Sequence, residues 1–326
     1  MRHQQISRMF HKRPAAGLMV VAAAVAMLLA HLQSDVVANP VASQASLIYS
    51  SPLVSGGWAI VVNGVLLLGT MGLMVLINRQ FNILRAVSYL DVGLFALMQA
   101  AVPIALGTVN DGLIIAPVLL VCMHRMFASY GNSDDVRGVF LSFFLLSIGA
   151  MVNYAFALFI PAMWLMLAQM RIFTLRAFLA SAMGLLTPWI LLFGFGAVTL
   201  QMLILPHIRS IFSVSQWLER PMLITAAVGF TALLLIGSVM LNVLKTIAYN
   251  ARARAFNGAL NLVSAFTILA MIVDFGNLGA YIPLLNVCAA YQLTHYFVNY
   301  RYERQYIAVL TIAAIYIFSF LWQIIL

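Results

Sequence analysis

The chain has 326 residues, of which 64% are hydrophobic and only 8% are charged, with 17 Lys and Arg against 8 Asp and Glu. A soluble domain carries about 25% charged residues, so this composition excludes a water-soluble fold and predicts an integral membrane protein. The basic excess does not indicate nucleic-acid binding, because the Lys and Arg residues are scattered between apolar segments rather than clustered beside aromatic side chains.

Eleven apolar segments follow one another along the chain. The hydrocarbon core of a bilayer is about 30 Å thick and takes roughly 20 helical residues. The predicted spans are 14–32, 57–77, 88–107, 112–129, 138–151, 153–169, 176–198, 221–244, 258–275, 279–298 and 305–325. We therefore predict an all-α integral membrane protein, with residues 1–326 forming a single polytopic domain.

The stretch 138–170 is one continuous apolar run. As a single helix it would be about 50 Å long, which is too long for the core of the membrane. The alternative is a hairpin, and we place its break at Gly149 to Asn153. A hairpin also keeps the later basic loops on the same side of the membrane as the earlier ones.

The Lys and Arg residues occupy every second gap between the apolar segments, and only Arg209 and Arg220 fall in the other gaps. Basic loops stay in the cytoplasm, so the pattern predicts a cytoplasmic N-terminus and a periplasmic C-terminus in a bacterial inner membrane. The first apolar run resembles a secretory signal but is longer than the usual core of one. We favour an uncleaved first span over a cleaved signal.

Four of the eight acidic residues fall at the outward ends of spans or in outward loops: Asp35, Asp111, Glu219 and Asp274. An outward carboxylate can serve as a general base or a metal ligand. The alternative is that these are helix-end carboxylates in the water of the headgroup region. Asn110-Asp111-Gly112 is also typical of a tight turn.

The remaining candidate features are weaker. Asp91 near the inner end of the third span is interpreted as structural, paired with Arg85 or with a neighbouring helix. The segment Pro206 to Arg220 is predicted to be an amphipathic helix on the outer interface. The histidines do not form a metal-ligand set, and His31, four residues before Asp35, is the single pairing of interest.

Residues 103–195 contain a series of features in a fixed order. They are Pro103, Asp111, Cys122-Met-His-Arg-Met-Phe, the acidic link Asp134-Asp135, short paired helices around Gly149 and Asn153 with Phe156 and Pro161, Leu175-Arg-Ala-Phe-Leu, and Thr187-Pro-Trp-Ile-Leu-Leu. This series resembles the N-terminal membrane module of GT-C glycosyltransferases. The resemblance implies a GT-C-like module over about 14–198, followed by additional C-terminal helices over 221–325. The first outer loop departs from that family because it is short and lacks a paired Asp-Glu.

A second resemblance involves the basic head His11-Lys12-Arg13, the short first outer loop and the same middle section. Together they are similar to a family of polytopic inner-membrane proteins from Bacteroidota, a family of unknown function. This second resemblance therefore implies a membrane location and no activity.

The GT-C resemblance implies transfer of a sugar from a polyprenyl-phosphate carrier at the periplasmic face, with a divalent metal as a possible cofactor. It assigns Asp35 as general base and Asp111 as a second acid or metal ligand. Arg209 and Arg220 would contact the phosphate.

Two histidines, His31 and His207, would support that site. The expected partners are membrane lipids and a lipid-linked substrate, not nucleic acid, and the sequence identifies no protein partner. Two other classes stay open: a non-catalytic scaffold or accessory subunit of an envelope assembly, and, third, a transporter.

Overall fold

The computed structural model describes residues 12–32, 57–102, 109–196, 198–199, 208–212, 222–299 and 305–325. Within these residues the fold is entirely helical. The α-helices are α1 (Arg13–Leu32), α2 (Gly57–Phe81), α3 (Leu90–Ala100), α4 (Asp111–Ala128), α5 (Val136–Val152), α6 (Ile160–Gln169), α7 (Leu175–Gly194), α8 (Met222–Thr246), α9 (Ala251–Val273), α10 (Leu278–Asn299) and α11 (Gln305–Ile325). Short 3-10 helices at Tyr154–Phe159 and Phe275–Asn277 precede α6 and α10.

Six of these helices contain segments long and apolar enough to cross a membrane. The segments are Trp58–Phe81, Asp111–Ala128, Leu175–Gly194, Ile224–Thr246, Ala251–Val273 and Gln305–Trp322. Helices α1, α3, α5 and α6 are also apolar but shorter. An all-helical protein with several membrane-spanning helices is thus confirmed, and one α-helix overlaps each of the eleven predicted segments. The count of eleven spans and the orientation stay predictions.

The predicted break in the long apolar run is present at Asn153. Helix α5 ends at Val152, and Asn153 adopts an extended conformation with φ −147° and ψ 123°. Its side-chain oxygen accepts a hydrogen bond of 2.8 Å from the backbone N–H of Ala155, which starts the 3-10 helix. The chain then returns beside α5, because the N–H of Gly131 donates to the carbonyl oxygen of Met170 at 3.0 Å. The hairpin prediction is therefore confirmed.

Helix α10 lies at the centre of the molecule and is buried along almost its whole length. It packs against α3, α4, α8 and α9. Amides join it to its neighbours: Asn286 donates to Gln99 of α3 at 3.0 Å, and Gln292 both accepts from Asn242 of α8 at 2.8 Å and donates to Asn261 of α9 at 2.6 Å. Each such bond inside a membrane contributes about 0.6 kcal/mol on average.

The basic side chains of the described helices gather at one end of the bundle. Tyr89, just before α3, accepts hydrogen bonds from Arg13 of α1 and Arg79 of α2. The rings of Phe81, Phe127 and Phe256 pack together there, which brings the end of α2, the end of α4 and the start of α9 side by side. We call this the basic end.

The opposite end holds the starts of α4 and α10 and the end of α9. The N–H of Asn110 donates to the side chain of Asn63 near the start of α2 at 3.2 Å, and Asp111 and Asp274 lie at this end. We call it the acidic end. Arg209 is the described basic residue found there, as the charge pattern predicts.

Asp91 does not form the pair predicted from sequence. It is buried in the first turn of α3, and neither carboxylate oxygen has a hydrogen-bond partner among the described residues. Arg85 instead lies over the ring of Tyr249, with its guanidinium carbon 4.2 Å from the ring centroid. The prediction failed because a cation can be satisfied by an aromatic face as well as by a carboxylate.

Candidate functional site

Asp274 is the centre of a hydrogen-bonded group at the acidic end. It follows the last residue of α9 and has no exposed surface. The hydroxyl of Tyr154 donates to its Oδ1 at 2.8 Å, and the hydroxyl of Tyr281 donates to its Oδ2 at 2.8 Å. Because both oxygens accept a phenolic proton, this buried carboxyl ties the 3-10 helix after α5 to the first turns of α10.

A chain of amides extends this group to the second acid. Asn277, three residues after Asp274, donates from Nδ2 to the Oδ1 of Asn153 at 3.1 Å. Asn153 in turn donates from Nδ2 to the Oδ2 of Asp111 at 2.9 Å. The N–H of Asn277 also donates to the carbonyl oxygen of Asp274 at 3.1 Å, which joins these bonds to the first set. We call the six residues the acid–amide network: Asp111, Asn153, Tyr154, Asp274, Asn277 and Tyr281.

The start of α4 is held in place by close packing against α10. A Cβ atom on Gly112 would lie 2.7 Å from the carbonyl oxygens of Gly279 and Ala280, so only glycine fits there. Asn110 caps the helix by accepting a 2.7 Å bond from the N–H of Gly112. These local features fix the adjacent Asp111 carboxylate, which is half-buried, in front of Asn153.

The segment that carries Arg209 runs along the turn between α9 and α10. The N–H of Gly276 donates to the carbonyl oxygen of Arg209 at 3.0 Å, and the N–H of Ile211 donates to that of Ile272 at 2.9 Å. The Arg209 side chain is exposed. An arginine thus lies at the surface beside the acid–amide network.

This segment differs from its prediction. Residues 208–212 form no helix, since their backbone bonds go to the turn of α9 and α10. The rest of the predicted amphipathic helix over 206–220 lies outside the described residues. The helix prediction is therefore wrong at these five residues. The apolar pattern there does not indicate a helix, because the backbone pairs with another part of the chain.

Burial and hydrogen bonding act on the Asp274 carboxyl in opposite directions. Burial raises the pKa of the Asp274 carboxyl above its usual value, while the hydrogen bonds from Tyr281 and Tyr154 act in the opposite direction. The amide oxygen of Asn277 is also buried and has no hydrogen-bond partner among the described residues. An acceptor of this kind is the natural partner of a hydroxyl donor.

The residues predicted from sequence are placed as follows. Asp111 is part of the acid–amide network, and Arg209 lies beside it. His31 belongs to the last turn of α1. Asp35, His207 and Arg220 lie outside the described residues, so their proposed roles stay predictions.

Sequence reasoning missed Asn153, Tyr154, Asn277 and Tyr281 as members of the site. Asn153 was noted as a break in the helix, and Asp274 as an outward acid, but their pairing depends on contacts between residues 42 to 124 positions apart. The sequence did offer one signal, which is position: Asp111, Asn153 and Asp274 all lie at the outward end of a predicted span.

The described residues do not fit a divalent metal. No group of three His, Cys, Asp or Glu side chains that could hold one occurs among them. Both carboxylate oxygens of Asp274 already accept hydrogen bonds from tyrosine hydroxyls. The amide of Asn153 lies between Asp274 and Asp111, so the two carboxylates do not face a common site. We therefore derive no chemical step through a metal.

No protein-family model, no curated protein and no solved structure matches the chain. The two resemblances stated from the sequence stay predictions. The geometry of the acid–amide network and the charge pattern are therefore the features that bear on function.

Proposed function

We propose that this protein is a GT-C-like transferase that moves a sugar from a polyprenyl-phosphate carrier at the acidic end of the bundle. The observation that carries the proposal is the half-buried Asp111 carboxylate, fixed by Asn153 next to a second acid, with Arg209 at the adjacent surface. A general base must be held within hydrogen-bonding reach of the proton that it removes. The hydrogen bond from Asn153 fixes the position of the Asp111 carboxylate for such a contact.

The proposed orientation follows from the charge pattern. Basic loops favour the cytoplasm, so we place the basic end there and the acidic end in the periplasm, with eleven spans and an outward C-terminus in a bacterial inner membrane. The substrate would enter from the outer leaflet, where polyprenyl carriers keep their tails in the hydrocarbon.

In the proposed reaction Asp111 accepts the proton of an acceptor hydroxyl. The hydroxyl oxygen then forms a bond to the anomeric carbon of the sugar. The bond from that carbon to the phosphate oxygen breaks, and its electron pair leaves with the polyprenyl phosphate. Arg209 stabilises the negative charge of the leaving phosphate.

The remaining members of the network have supporting roles. Asp274 positions the turn of α9 and α10, because its oxygens are already occupied by Tyr154 and Tyr281. Asn277 has a positioning role, because its amide donates to Asn153, which in turn holds Asp111. Asp35 stays the proposed alternative base, as the GT-C resemblance implies.

The test uses the full chain in lipid nanodiscs with radiolabelled polyprenyl-phosphate glucose and polyprenyl-phosphate mannose as probes. Asp111→Asn removes the base but keeps an acceptor for Asn153, so sugar release should fall at least about 100-fold. Asp134→Asn is the matched control, because Asp134 is an exposed acid in the loop between α4 and α5.

Arg209→Gln should lower kcat for the same probes as well as raise KM, since the guanidinium contacts the carrier phosphate and stabilises the charge that develops on it. Equal turnover in wild type, Asp111→Asn and Asp134→Asn would overturn the role of Asp111. Absence of turnover and of binding for both carriers in the wild-type protein would refute the transferase proposal for these sugars.

A second candidate function, an accessory subunit of an envelope assembly, is favoured by one face of α8. Ala226, Gly229 and Gly237 are exposed on this face, and a Cβ on either glycine would meet no atom within 4 Å. Small residues on a lipid-facing helix let a second helix approach closely.

Gly229→Leu should then release the protein from a larger complex on native gels of solubilised membranes, whereas the control Gly69→Leu on α2 should not. An unchanged complex in both variants would remove this candidate.

A further inference from the structure

A shallow, open depression of about 400 Å³, which we call the groove, lies on the outer surface of α2 near the basic end, and its described lining comes from this one helix. Its lining residues are Gly72, Val75, Leu76, Arg79 and Gln80. The spacing of these positions places them along one face of the helix. The groove is therefore apolar over its inner part and polar where it reaches the basic end.

Gly72 faces open space on the outer surface of α2. A Cβ on this glycine would meet no atom within 4 Å, and the residue is exposed. From Gly72 to Gln80 the helix rises by about 12 Å. One leaflet is half of the about 30 Å hydrocarbon core, so the groove extends over most of the depth of one leaflet.

Two guanidinium groups converge at the polar end of the groove. Arg79 donates to the hydroxyl oxygen of Tyr89 at 2.8 Å, and Arg13 donates to the same oxygen at 3.0 Å. The two cations are thus within about 6 Å of each other, a distance at which like charges repel unless an anion lies near them. The hydrogen bonds from Arg79 and Arg13 lower the pKa of the Tyr89 phenol, which is consistent with a strongly positive environment.

Both guanidinium groups keep donors for a further ligand. Each guanidinium has five N–H donors, and the partner that the structure gives these two is a neutral phenol rather than a carboxylate. Gln80 is exposed at the groove, and its side-chain oxygen contacts Nε2 of His124 at 2.7 Å, so its amide N–H groups point elsewhere. Arginine and amide donors in this arrangement match the oxygens of a phosphate.

We propose that this groove binds an anionic phospholipid. The phosphate of the headgroup lies on Arg79 and Gln80 with Arg13 beside them, and an acyl chain lies along Gly72, Val75 and Leu76. The site is independent of the transferase proposal, because it lies at the opposite end of the bundle. Charge complementarity favours a lipid over a protein helix, since the groove ends in two cations rather than in an apolar surface.

The test measures lipid affinity by native mass spectrometry of the full chain in mild detergent, titrated with phosphatidylglycerol and with phosphatidylcholine. The wild-type protein should prefer phosphatidylglycerol. Arg79→Gln should lower affinity for phosphatidylglycerol about fivefold, the effect of one cation near a membrane surface, and should reduce the preference for it. The control is Arg137→Gln, an exposed arginine on α5 at the same end, which should change nothing.

The groove itself is tested by Gly72→Leu, which fills the space without changing charge and should weaken binding of both lipids. Its control, Gly194→Leu, places the same side chain at an exposed and open glycine of α7. Melting temperatures of all four variants should match wild type, because none of these side chains is part of the buried core.

Three results would overturn the proposal. An equal loss of affinity in Arg79→Gln and Arg137→Gln would mean diffuse attraction to the basic end. Competition by inorganic phosphate at equal concentration would mean a site for a free anion rather than a lipid. Unchanged lipid binding in Gly72→Leu, together with a change of oligomeric state, would mean that a protein helix occupies the groove.

Discussion

Asp274 and Asp91 are equally buried, with 0% and 1% of their surface exposed, but their surroundings differ completely. At the acidic end, two phenols donate to the oxygens of Asp274. At the basic end, neither oxygen of Asp91 has a hydrogen-bond partner among the described residues. A buried carboxyl is stabilising only where donors replace the lost water. The buried acid of the acidic end therefore stabilises the fold, whereas the buried acid of the basic end destabilises it.

The cations show the same contrast. At the basic end the arginines contact aromatic rings: Arg85 lies 4.2 Å from the ring centroid of Tyr249, and Arg252 lies 5.4 Å from that of Phe256. These contacts are at the surface and leave room for lipid headgroups. At the acidic end most of the side-chain hydrogen bonds are buried, and they connect three separate parts of the chain. The acidic end is thus the better candidate for a preorganised site, and the basic end for topology and lipid binding.

The largest effect in this comparison is expected from Asp274→Ala. The substitution leaves the hydroxyls of Tyr154 and Tyr281 buried without an acceptor, at a cost of about 3 kcal/mol in the free energy of unfolding. Thermal unfolding in detergent micelles measures the loss. Asp134→Ala, in an exposed loop, is the control and should leave the melting temperature unchanged. Equal melting temperatures for the two variants would mean that the network does not stabilise the acidic end.

A second effect at the acidic end is expected from Gly112→Ala. The added methyl group would lie 2.7 Å from two backbone carbonyl oxygens of α10, so α4 must shift, at a cost of about 2 kcal/mol. In Gly69→Ala the methyl group meets no atom within 4 Å, and the higher helix propensity of alanine should stabilise α2 slightly. If both variants unfold at the same temperature, the close approach of α4 to α10 does not contribute to stability.

The sequence allowed much of this architecture to be predicted, for physical reasons that also explain the failures. Apolar length and loop charge are local properties, and they located one helix in each predicted span and the break at Asn153. The bond from Asn153 to Asp111 and the bonds from Tyr154 and Tyr281 to Asp274 depend on how helices pack, which no local pattern encodes. Arg85 shows the same limit, since nothing near it in sequence predicts that it lies over Tyr249.

The smallest effect, and one of opposite sign, is expected from Asp91→Asn. The amide has nearly the same shape as the carboxyl but carries no charge, so the variant avoids the cost of burying an ion without partners. We expect the free energy of unfolding to rise by about 1 kcal/mol. Asp274→Asn is the matched comparison and should not stabilise the protein, because its carboxyl already has two donors.

The sign of the Asp91→Asn effect also separates two functions. A buried ionisable residue without a partner inside a membrane protein is costly, and such a residue is retained where it binds a proton or an ion. If Asp91→Asn stabilises the protein and leaves sugar transfer unchanged, Asp91 is not part of the transferase site at the acidic end. Loss of ion-dependent uptake in proteoliposomes on the same substitution would instead favour the transporter alternative, with its site at Asp91 rather than at Asp111.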